Sequence, residues 1–571
     1  MRRPNRMAMR VRALAVPLLL VALPCASAAD KKPAEPPPDL TYSAPAAIPA
    51  GVATKVTFFG APAGEPTGFW SSFPLKATCV TGAGKPQYTI EVPAGTPVGI
   101  GGVRLTTARG LSNLQLFMVD DLPTEARSGK NTTRQTAQTI KPMTAIEGNC
   151  EPLTSDYYRF AAKKGQRIAI EVVAQRLGSR TDPMVRLLSE SGAELAYVDD
   201  TPGLGADCRF AHTFAADGNY VIELRDANYE GGGDYRYRLR VGDFPAVTAA
   251  FPVGAKRGGQ TQIEIVGAAE DRVGPIAVTM PTDGPRAWVG ARLPGGHSSA
   301  MVSVVCGDNA DLIAGANLSA ESAMPVTAPG AVSGRFEHAG DVHWFTIAGG
   351  KGKRLAVRSE ARAVGSPCDI SLRLLKPDGT RVGESKSTGP DEGSLDASIS
   401  DDVPYRLLVE DLNHLGGVGA VYRLTFAPRT ADFSFETESD KFDVAAGGTI
   451  KLKVKVTRRD LPAAIRLALT GDAAAHLRLL TPEIPAGKTD ADIDINIPPD
   501  APTGGPLAFG IVGTAKSGDA EITHPLGTDP ALKKLWPRLF YPPPELDGSI
   551  GLLIRPKKAA TSTAPTTAKS H

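Results

Sequence analysis

An internal repeat with a period of about 185 residues is the feature that most constrains the fold of this chain. Residues 164–195 align without a gap on residues 351–382, with identical residues at 12 of the 32 positions. The segment RDANYEGGGDYRYRL also falls on EDLNHLGGVGAVYRL, and Asp156 falls on Asp341. A period of this length exceeds that of solenoid units, so the sequence predicts a duplicated whole domain.

The strand pattern is clearest in Tyr235–Val241, which reads YRYRLRV. Apolar and arginine side chains alternate, which indicates a half-buried antiparallel strand with one arginine face. We expect that face to be solvated and bracketed by Glu223 and Asp226 on neighbouring strands. Contact with an acidic polysaccharide is the alternative.

Composition agrees with an all-β chain. Its 60 Gly and 48 Pro suit many short strands joined by tight turns, and aromatic residues make up only 6% of it. A length of 571 residues is typical of three to five domains. The predicted fold class is therefore all-β, with tandem β-sandwich domains.

Composition shifts and turn-rich stretches separate the predicted domains. We expect a Pro-rich linker, five β domains in a row, and a tail whose last dozen residues are disordered. The expected bounds are 30–39 for the linker, 40–124, 125–242, 243–325, 326–428 and 429–525 for the domains, and 526–571 for the tail. Part of the tail is expected to dock on the fifth domain through Leu535, Trp536, Leu539 and Phe540.

Residues 1–29 have the three parts of a secretory signal peptide. Five arginines precede an apolar run at Ala13–Leu23, and Ala26-Ser27-Ala28 supplies a small-residue cleavage site. Cys25 raises the alternative of a lipid anchor, but Pro24 does not suit that processing. No later run approaches the ~20 apolar residues of a membrane span, so we expect an exported, soluble chain.

Net charge argues against nucleic acid and acidic lipid as partners. The five leader arginines supply more than the whole formal charge of +2, which leaves about −3 for the rest of the chain. A nearly neutral exported chain has no bulk charge to attract either polyanion.

Five cysteines follow the leader, at Cys79, Cys150, Cys208, Cys306 and Cys368. Their odd number and wide spacing argue against a disulfide framework, and no pair has a C-x-x-C spacing. Cys150 and Cys208 lie in one predicted domain and could form a disulfide. The alternative is that they are small buried thiols.

Aromatic residues cluster in GFWSSFP, which contains Trp70 and Phe73. We expect a packed aromatic corner there, with a binding platform as the alternative.

Several segments carry a resemblance to a known family. GFWSSFP, GVRLTTARGLSN, KKGQR, RLGSRTDP, ADGNY and NYEGGGDYRYRLRVGDFP occur in order within residues 55–260. They resemble the bacterial pre-peptidase C-terminal domain, a β-sandwich module usually attached to secreted peptidases. The fuller chain resembles multidomain secreted proteins common in planctomycetes, in which such domains alternate with immunoglobulin-like or TIG-like units. The resemblance implies jelly-roll-like pre-peptidase domains at 125–242 and 326–428, Ig/TIG-like domains at 40–124 and 243–325, and an Ig-like sandwich at 429–525.

Some domains of that family bind calcium near their first strand. The matching positions here are Glu125, Asn131 and Asp156, but the segment reads EARSGKNTT and has lost most of the acidic ligands. Calcium needs six to eight oxygen ligands, so these three residues are weak candidates. Asp199-Asp200 forms a second candidate cation site, for which a solvated turn is the simpler account.

No catalytic motif is found. The sequence has no H-E-x-x-H helix, no G-x-S-x-G elbow and no phosphate-binding loop. His297 lies beside two serines in GGHSSA, but neighbours on a strand point to opposite faces. Asp182 and Asp369 occupy equivalent turns, where capping explains them better than catalysis does. We therefore predict a protein that is not an enzyme and has no cofactor other than a weak calcium candidate.

These observations favour an exported, non-catalytic scaffold or adhesion-type protein that binds protein or glycan at the cell envelope. An accessory subunit of a secreted peptidase or other hydrolase is the alternative. An unrecognised hydrolase is a third hypothesis, and it would require a pocket with convergent acid and base groups.

Overall fold

A computed structural model gives the fold and describes residues 36–61, 65–267, 271, 273–385 and 392–557. The predicted signal peptide, most of the linker and the end of the tail lie outside these residues. Strands dominate the described part of the chain, and its one α-helix is α1, Asp529–Leu535. The predicted all-β sandwich class is confirmed.

The first sandwich holds the strands β1 (Asp39–Ala44), β2 (Ala47–Ile48), β3 (Thr54–Ala61), β4 (Pro66–Ser71), β5 (Lys76–Cys79), β6 (Gln87–Glu91), β7 (Gly99–Thr107), β8 (Gly110–Leu111) and β9 (Gln115–Val119). One sheet has the order β1-β3-β6-β5. The other has the order β2-β9-β7-β4, with β8 added to β7.

The second sandwich holds β10 (Thr124–Ala126), β11 (Gln138–Thr139), β12 (Thr144–Asn149), β13 (Asp156–Ala162), β14 (Arg167–Val173), β15 (Pro183–Ser189), β16 (Glu194–Val198), β17 (Cys208–Thr213), β18 (Gly218–Asp226) and β19 (Arg236–Gly242). Its sheets have the orders β10-β12-β19-β14-β17 and β11-β13-β18-β15-β16. The apolar residues of the alternating strands meet between these sheets, where Tyr158, Ile170, Leu187 and Leu239 belong to one buried core.

The third sandwich is smaller and holds β20 (Val247–Phe251), β21 (Gly254–Lys256), β22 (Gln260–Gly267), β23 (Ile276–Thr279), β24 (Arg286–Ala291) and β25 (Ala300–Gly307). Its sheets have the orders β20-β22-β23 and β21-β25-β24. Its core includes Leu122, Ala145 and Ala169, which precede or belong to the second sandwich. The second and third sandwiches therefore share buried apolar surface.

The fourth sandwich holds β26 (Asp311–Ile313), β27 (Met324–Val326), β28 (Gly330–Arg335), β29 (Val342–Ile347), β30 (Arg354–Glu360), β31 (Ile370–Leu375), β32 (Arg381–Glu384), β33 (Ser394–Ser398), β34 (Tyr405–Asp411) and β35 (Val421–Pro428). Its sheets, β26-β28-β35-β30-β33 and β27-β29-β34-β31-β32, repeat the strand order of the second sandwich. The internal alignment thus corresponds to two domains of one topology.

The fifth sandwich holds β36 (Asp432–Glu436), β37 (Lys441–Ala445), β38 (Thr449–Arg459), β39 (Ile465–Thr470), β40 (Arg478–Leu479), β41 (Glu483–Ile484), β42 (Asp490–Asn496), β43 (Pro506–Ser517), β44 (Ala520–Pro525) and β45 (Ile550–Arg555). Its sheets are β36-β38-β42-β40 and β37-β45-β43-β39-β41, with β44 paired to β43.

Two predicted boundaries fall inside a sandwich. β45 lies in the predicted tail, yet it pairs with β37 and β43 and completes a sheet of the fifth sandwich. β26 lies before the predicted boundary at 325, yet it pairs with β28 of the fourth sandwich. β26 is a short strand at the edge of its sheet, and β45 is the last strand of the chain. Neither shows a clear alternation of apolar and polar residues, so the sequence pattern did not assign them to these sandwiches.

The fifth sandwich also contacts the first, an arrangement that the sequence left open. The fifth sandwich packs against the first through Arg104, which is buried and donates to the Asp440 carboxylate at 2.6 Å. Arg555 donates to the carbonyl of Arg109 at 2.7 Å. These contacts, between residues far apart in sequence, bring the fifth sandwich against the first.

Strand register corrects one position of the internal alignment. Asp156 pairs with Leu224 on β18, and its counterpart by pairing on β34 is His343, opposite Val409. Asp156 accepts from the Tyr237 hydroxyl at 2.6 Å, and His343 Nδ1 lies 2.5 Å from the Tyr422 hydroxyl. The prediction that Asp156 corresponds to Asp341 is therefore wrong, because β13 matches β29 at the same offset as the gapless block of residues 164–195 and 351–382.

Candidate functional site

The arginine face of β19 is buried at Arg238 and Arg240, so the prediction of a solvated face is wrong for these two residues. Arg238 and Arg240 are 1% and 0% exposed. Arg238 donates to Asp120, at the end of the first sandwich, and to Glu147 on β12, both at 2.8 Å. Arg238 and Arg240 lie on the outer face of their sheet, where they are buried between sandwiches. Their contacts are called the arginine joint.

Arg240 connects three sandwiches. It donates to Asp120 at 2.8 Å, to Glu171 on β14 at 2.5 Å, and to the carbonyl of Ser299 before β25 at 2.7 Å. Its guanidinium also lies 4.5 Å from the centre of the Phe244 ring. All the polar partners are charged groups or backbone, as a buried arginine requires.

Two carboxylates of this joint, Glu171 and Asp120, are held ionised, whereas burial raises the pKa of Glu147. Burial alone would raise the pKa of Glu171, but Arg209, Arg176 and Arg240 outweigh it and lower that pKa well below its usual range. The pKa of Asp120 is likewise lowered, because Arg240 and Arg238 outweigh burial. The expected bracketing residues, Glu223 and Asp226, lie on β18 in the opposite sheet, where Glu223 pairs with Arg186.

The fourth sandwich has an equivalent of one of the two buried arginines of this joint. Arg423 is the counterpart of Arg238 and pairs with Asp311 and Glu360 at 3.0 and 2.8 Å. A Cβ on Gly254 or Gly307 of the third sandwich would meet Arg423 at 2.3 or 2.4 Å. Glycine at those two positions therefore lets the third sandwich close onto the arginine.

The C-terminal segment, which is the name used here for residues 529–540, docks mainly on the first and second sandwiches. The predicted docking on the fifth sandwich is wrong. Trp536, with Leu535 and Leu539 beside it, joins a buried cluster with Ile100 and Met118 of the first sandwich and Val173 of the second. Phe540 is exposed. A Cβ on Gly178 would meet Trp536 at 2.7 Å, so a glycine turn admits the indole.

This docked segment closes one side of a groove. The groove has a volume of about 1100 Å³ and lies between the first sandwich, the second sandwich and the residues after α1. Its walls include Tyr42 on β1, Ala126 on β10, Arg236 on β19 and Arg538 of the C-terminal segment. Glu147 also lines the groove, and its two carboxylate oxygens accept from the Ala46 amide at 2.8 and 2.9 Å.

The aromatic side chains of the groove have little free surface. Tyr42 stacks on Phe59 with ring centres 4.4 Å apart, and the Arg236 guanidinium covers it at 3.5 Å. The Trp536 ring is buried. A ligand would therefore meet guanidinium groups rather than open aromatic faces.

One buried polar group in the groove has no partner. Ser43 on β1 is 3% exposed, lines the groove, and its hydroxyl makes no hydrogen bond within the described residues. Most buried hydroxyls in folded proteins are hydrogen-bonded. The Ser43 hydroxyl beside the groove is an exception.

The three calcium candidates do not form a ligand cage. Asp156 is buried and receives the Arg127 guanidinium at 2.7 and 2.8 Å as well as the Tyr237 hydroxyl. Asn131 is buried nearby, whereas Glu125 is exposed on β10 and lines the groove. Arg127 supplies the positive charge that a cation would bring, so calcium would have to displace it. Within the described residues, no group of three His, Cys, Asp or Glu side chains could hold a metal ion.

The second candidate cation site is a turn. The Asp199 carboxylate accepts from the Tyr197 hydroxyl at 2.9 Å, and Asp200 is exposed beside it. Two exposed acids supply too few ligands for calcium.

Cys150 and Cys208 are free thiols and do not form the disulfide considered from sequence. Both are buried in the core of the second sandwich. The Cys208 thiol points to the Pro183 carbonyl at 2.9 Å, and burial raises the pKa of Cys150 to about 12. The small-thiol alternative describes them.

We expect Cys150, Cys208 and Cys368 to resist modification in the native protein, because a buried thiol with a raised pKa yields almost no thiolate at pH 8. Ellman's reagent should titrate them only after denaturation. A chain starting at Ala29 should then show all five thiols without reductant. A count lower by two would instead indicate a disulfide.

The His297–Ser298 pair and the acidic residues of the duplicated turns do not form catalytic arrangements. The Ser298 hydroxyl donates to Asp243 at 2.6 Å, and His297 contacts the same carboxylate at 3.2 Å, so the histidine does not activate the serine. Asp226 and Asp411 cap the duplicated turns, for which capping by Asp182 and Asp369 was predicted. Asp226 accepts from the amides of Asp182, Asn228 and Glu230, and Asp411 accepts from those of Asp369, Asn413 and Leu415.

Trp70 and Phe73 form a packed corner. Each is partly buried against a core cluster of the first sandwich, and a Cβ on Gly101 would meet the Phe73 ring at 2.4 Å. The platform alternative would need an open aromatic face.

The groove was not predicted from the sequence. Ser43, Arg236 and Trp536 converge there from strands and a segment far apart in the chain. The available signal was the alternating arginine strand, whose first member, Arg236, does face open space. Nothing in the local pattern distinguishes it from Arg238 and Arg240.

No family model matches this chain, and no curated protein matches it. Among solved structures, it is similar to the pre-peptidase C-terminal domain of a Bacillus anthracis collagenase, with 21% identity over 21% of this chain and 96% of that one, at a TM-score of 0.15. It is similar to Bacteroides ovatus SGBP-B of a mixed-linkage glucan utilization locus, solved with a heptasaccharide, at 8% identity over 66% and 71% of the chains and a TM-score of 0.13. The N-terminal four Ig domains of Dscam1 match at 8% identity over 92% and 98%, with a TM-score of 0.15.

The described part of the chain contains no helix that is both long and apolar enough to span a membrane.

Proposed function

We propose that this chain is an exported, non-catalytic binding protein of the cell envelope, whose ligand site is the groove beside the arginine joint. The observation that supports this most is the fixed geometry of the groove. Its walls come from two sandwiches and the C-terminal segment; buried ion pairs hold the two sandwiches together, and the buried Trp536 anchors the segment. Preorganised walls reduce the ordering cost of binding.

The chemistry of the groove supports binding rather than catalysis. Neither histidine nor cysteine lines it, and its acids, Glu125, Glu147 and Asp234, have different surroundings. Glu147 is committed to Arg238 and the Ala46 amide. No nucleophile with an adjacent base is present among the lining residues. Export is proposed from the N-terminal leader pattern alone.

Filling the groove tests this function. Ala126 is an exposed residue of β10 that lines the groove, so Ala126→Trp should block it without disturbing a core. We expect the variant to bind the native cell-envelope fraction at least about tenfold more weakly than wild type, a loss of about 1.4 kcal/mol. The measurement is a saturation pull-down with the full chain.

Ala161→Trp is the matched control, because Ala161 is an exposed strand residue of the same sandwich outside the groove. It should bind like wild type. Equal binding by wild type, Ala126→Trp and the control would contradict the groove as the site. Recovery of a secreted hydrolase by all three proteins would favour the accessory-subunit hypothesis instead.

A further inference from the structure

Six cationic and three acidic side chains line the groove. Two of the cations are neutralised locally, Arg127 by Asp156 and Arg238 by Asp120. The remaining four, Arg180, Arg236, Lys534 and Arg538, come from the second sandwich and the C-terminal segment. Of the three lining acids, Glu147 is paired with Arg238, so Glu125 and Asp234 oppose these four cations and a surplus of two positive charges remains.

Three of those four cations have no carboxylate within ion-pair distance among the described residues. Arg236 donates to the Gly233 carbonyl and lies on Tyr42, while Arg180 lies 5.5 Å from the centre of the Tyr235 ring. Lys534 is exposed at the end of α1. Arg538 has one exposed partner, Glu230, at 3.4 Å. Guanidinium groups held in place by an aromatic ring are preorganised for carboxylate ligands.

Neutral donors accompany these charges. The buried Ser43 hydroxyl is unpartnered, and Gln175 also lines the groove with its side-chain amide uncommitted among the described residues. Hydroxyl and amide groups between cations match a ligand that carries both hydroxyls and carboxylates. The volume of about 1100 Å³ lies at the upper end of small-molecule sites, which suits a segment of several sugar units.

We propose that the groove binds a carboxylate-bearing polysaccharide segment, a chain of uronic-acid type. The covered faces of Tyr42 and Trp536 leave no aromatic platform for stacking of a neutral sugar or a nucleobase. Recognition therefore depends on charge and on hydrogen bonds to hydroxyls. This inference rests on the proposed function of the same groove.

Hexagalacturonate is the probe that tests the inference, measured by isothermal titration with the full chain. We expect binding that weakens at least about tenfold in the double variant Arg236→Gln/Lys534→Gln, since two charge-assisted contacts are lost. The fully methyl-esterified hexamer, which has no carboxylate, should also bind at least about tenfold more weakly. Raising salt from low to physiological strength should weaken binding of the acid form, because exposed charges are screened.

The double variant Lys163→Gln/Arg381→Gln removes two exposed cations outside the groove and should bind like wild type. Equal binding by both double variants, or of the ester and the acid, would overturn the inference. Tighter binding of a hexa-aspartate peptide than of hexagalacturonate would overturn it in favour of an acidic protein ligand.

Failure of this inference is distinguishable from failure of the proposed function. If Ala126→Trp lowers envelope binding while wild type does not bind hexagalacturonate, the groove remains the site and the ligand class is wrong. If Ala126→Trp leaves envelope binding unchanged, the groove is not the site.

Discussion

An Arg240→Ala variant should lose about 3–5 kcal/mol of local stability, because one partner of a buried ion network is removed and the others remain. Asp120 and Glu171, both with lowered pKa values, would each lose a donor while buried. The Ser299 carbonyl would also lose its contact, so the first, second and third sandwiches should loosen together.

Native-state hydrogen exchange is the appropriate measurement, since a chain of several domains does not unfold in two states. Amides of β14 and β19 should exchange faster by the factor that this free energy predicts. Arg236→Ala is the control, because Arg236 lies on the same face of β19 but at the open groove, and it should cost less than about 1 kcal/mol. Equal effects of the two substitutions would mean that the joint does not depend on its central ion pairs.

The two arginine variants also show what strand periodicity can and cannot predict. The YRYRLRV pattern correctly places Arg236, Arg238 and Arg240 on one face of a strand. It does not show what covers that face, because the covering groups are Asp120 of the preceding sandwich and Ser299 of the following one. Burial of a charged face by another domain is a tertiary fact without a local signal.

The groove is even harder to predict from strand periodicity. β19 follows from the alternation of apolar and arginine residues, but its meeting with β1, β10 and Trp536 depends on the return of the chain from the fifth sandwich to the first. That return is held by Arg104 and Asp440, which are separated by more than 300 residues. The fold class follows from composition and pattern, whereas the site follows from contacts between sandwiches.

The duplicated domains also differ at the buried position of Asp156, and this difference has a predicted consequence for pH. In the second sandwich Asp156 pairs with Arg127. In the fourth, His343 takes the place of Asp156, and Ala314 takes the place of Arg127, since the amides of Arg127 and Ala314 bond to equivalent carbonyls on β12 and β28. A buried ion pair in one copy is therefore a neutral histidine and an alanine in the other.

The stability of the fourth sandwich should fall as pH drops from 6.5 towards 4. Burial lowers the pKa of His343 from 6.5 to about 4, while Asp341 and Glu337 oppose this only in part. The unfolded chain takes up a proton in that interval and the folded chain does not, so unfolding is favoured as pH falls. At about 1.4 kcal/mol per pH unit, the loss is about 3 kcal/mol at pH 4, and above pH 6.5 this group contributes no slope.

His343→Gln should remove that pH dependence, because glutamine can still hydrogen-bond the Tyr422 hydroxyl but does not titrate. The measurement is hydrogen exchange of β29 and β34 amides between pH 7 and pH 4.5, corrected for the intrinsic exchange rate. His338→Gln is the matched control, since His338 is 84% exposed and its loss should leave the slope in place. Carboxylates titrate in the same interval, so the decisive quantity is the difference in slope between the two variants. Identical slopes would show that His343 is protonated in the folded protein and that its burial does not exclude the charge.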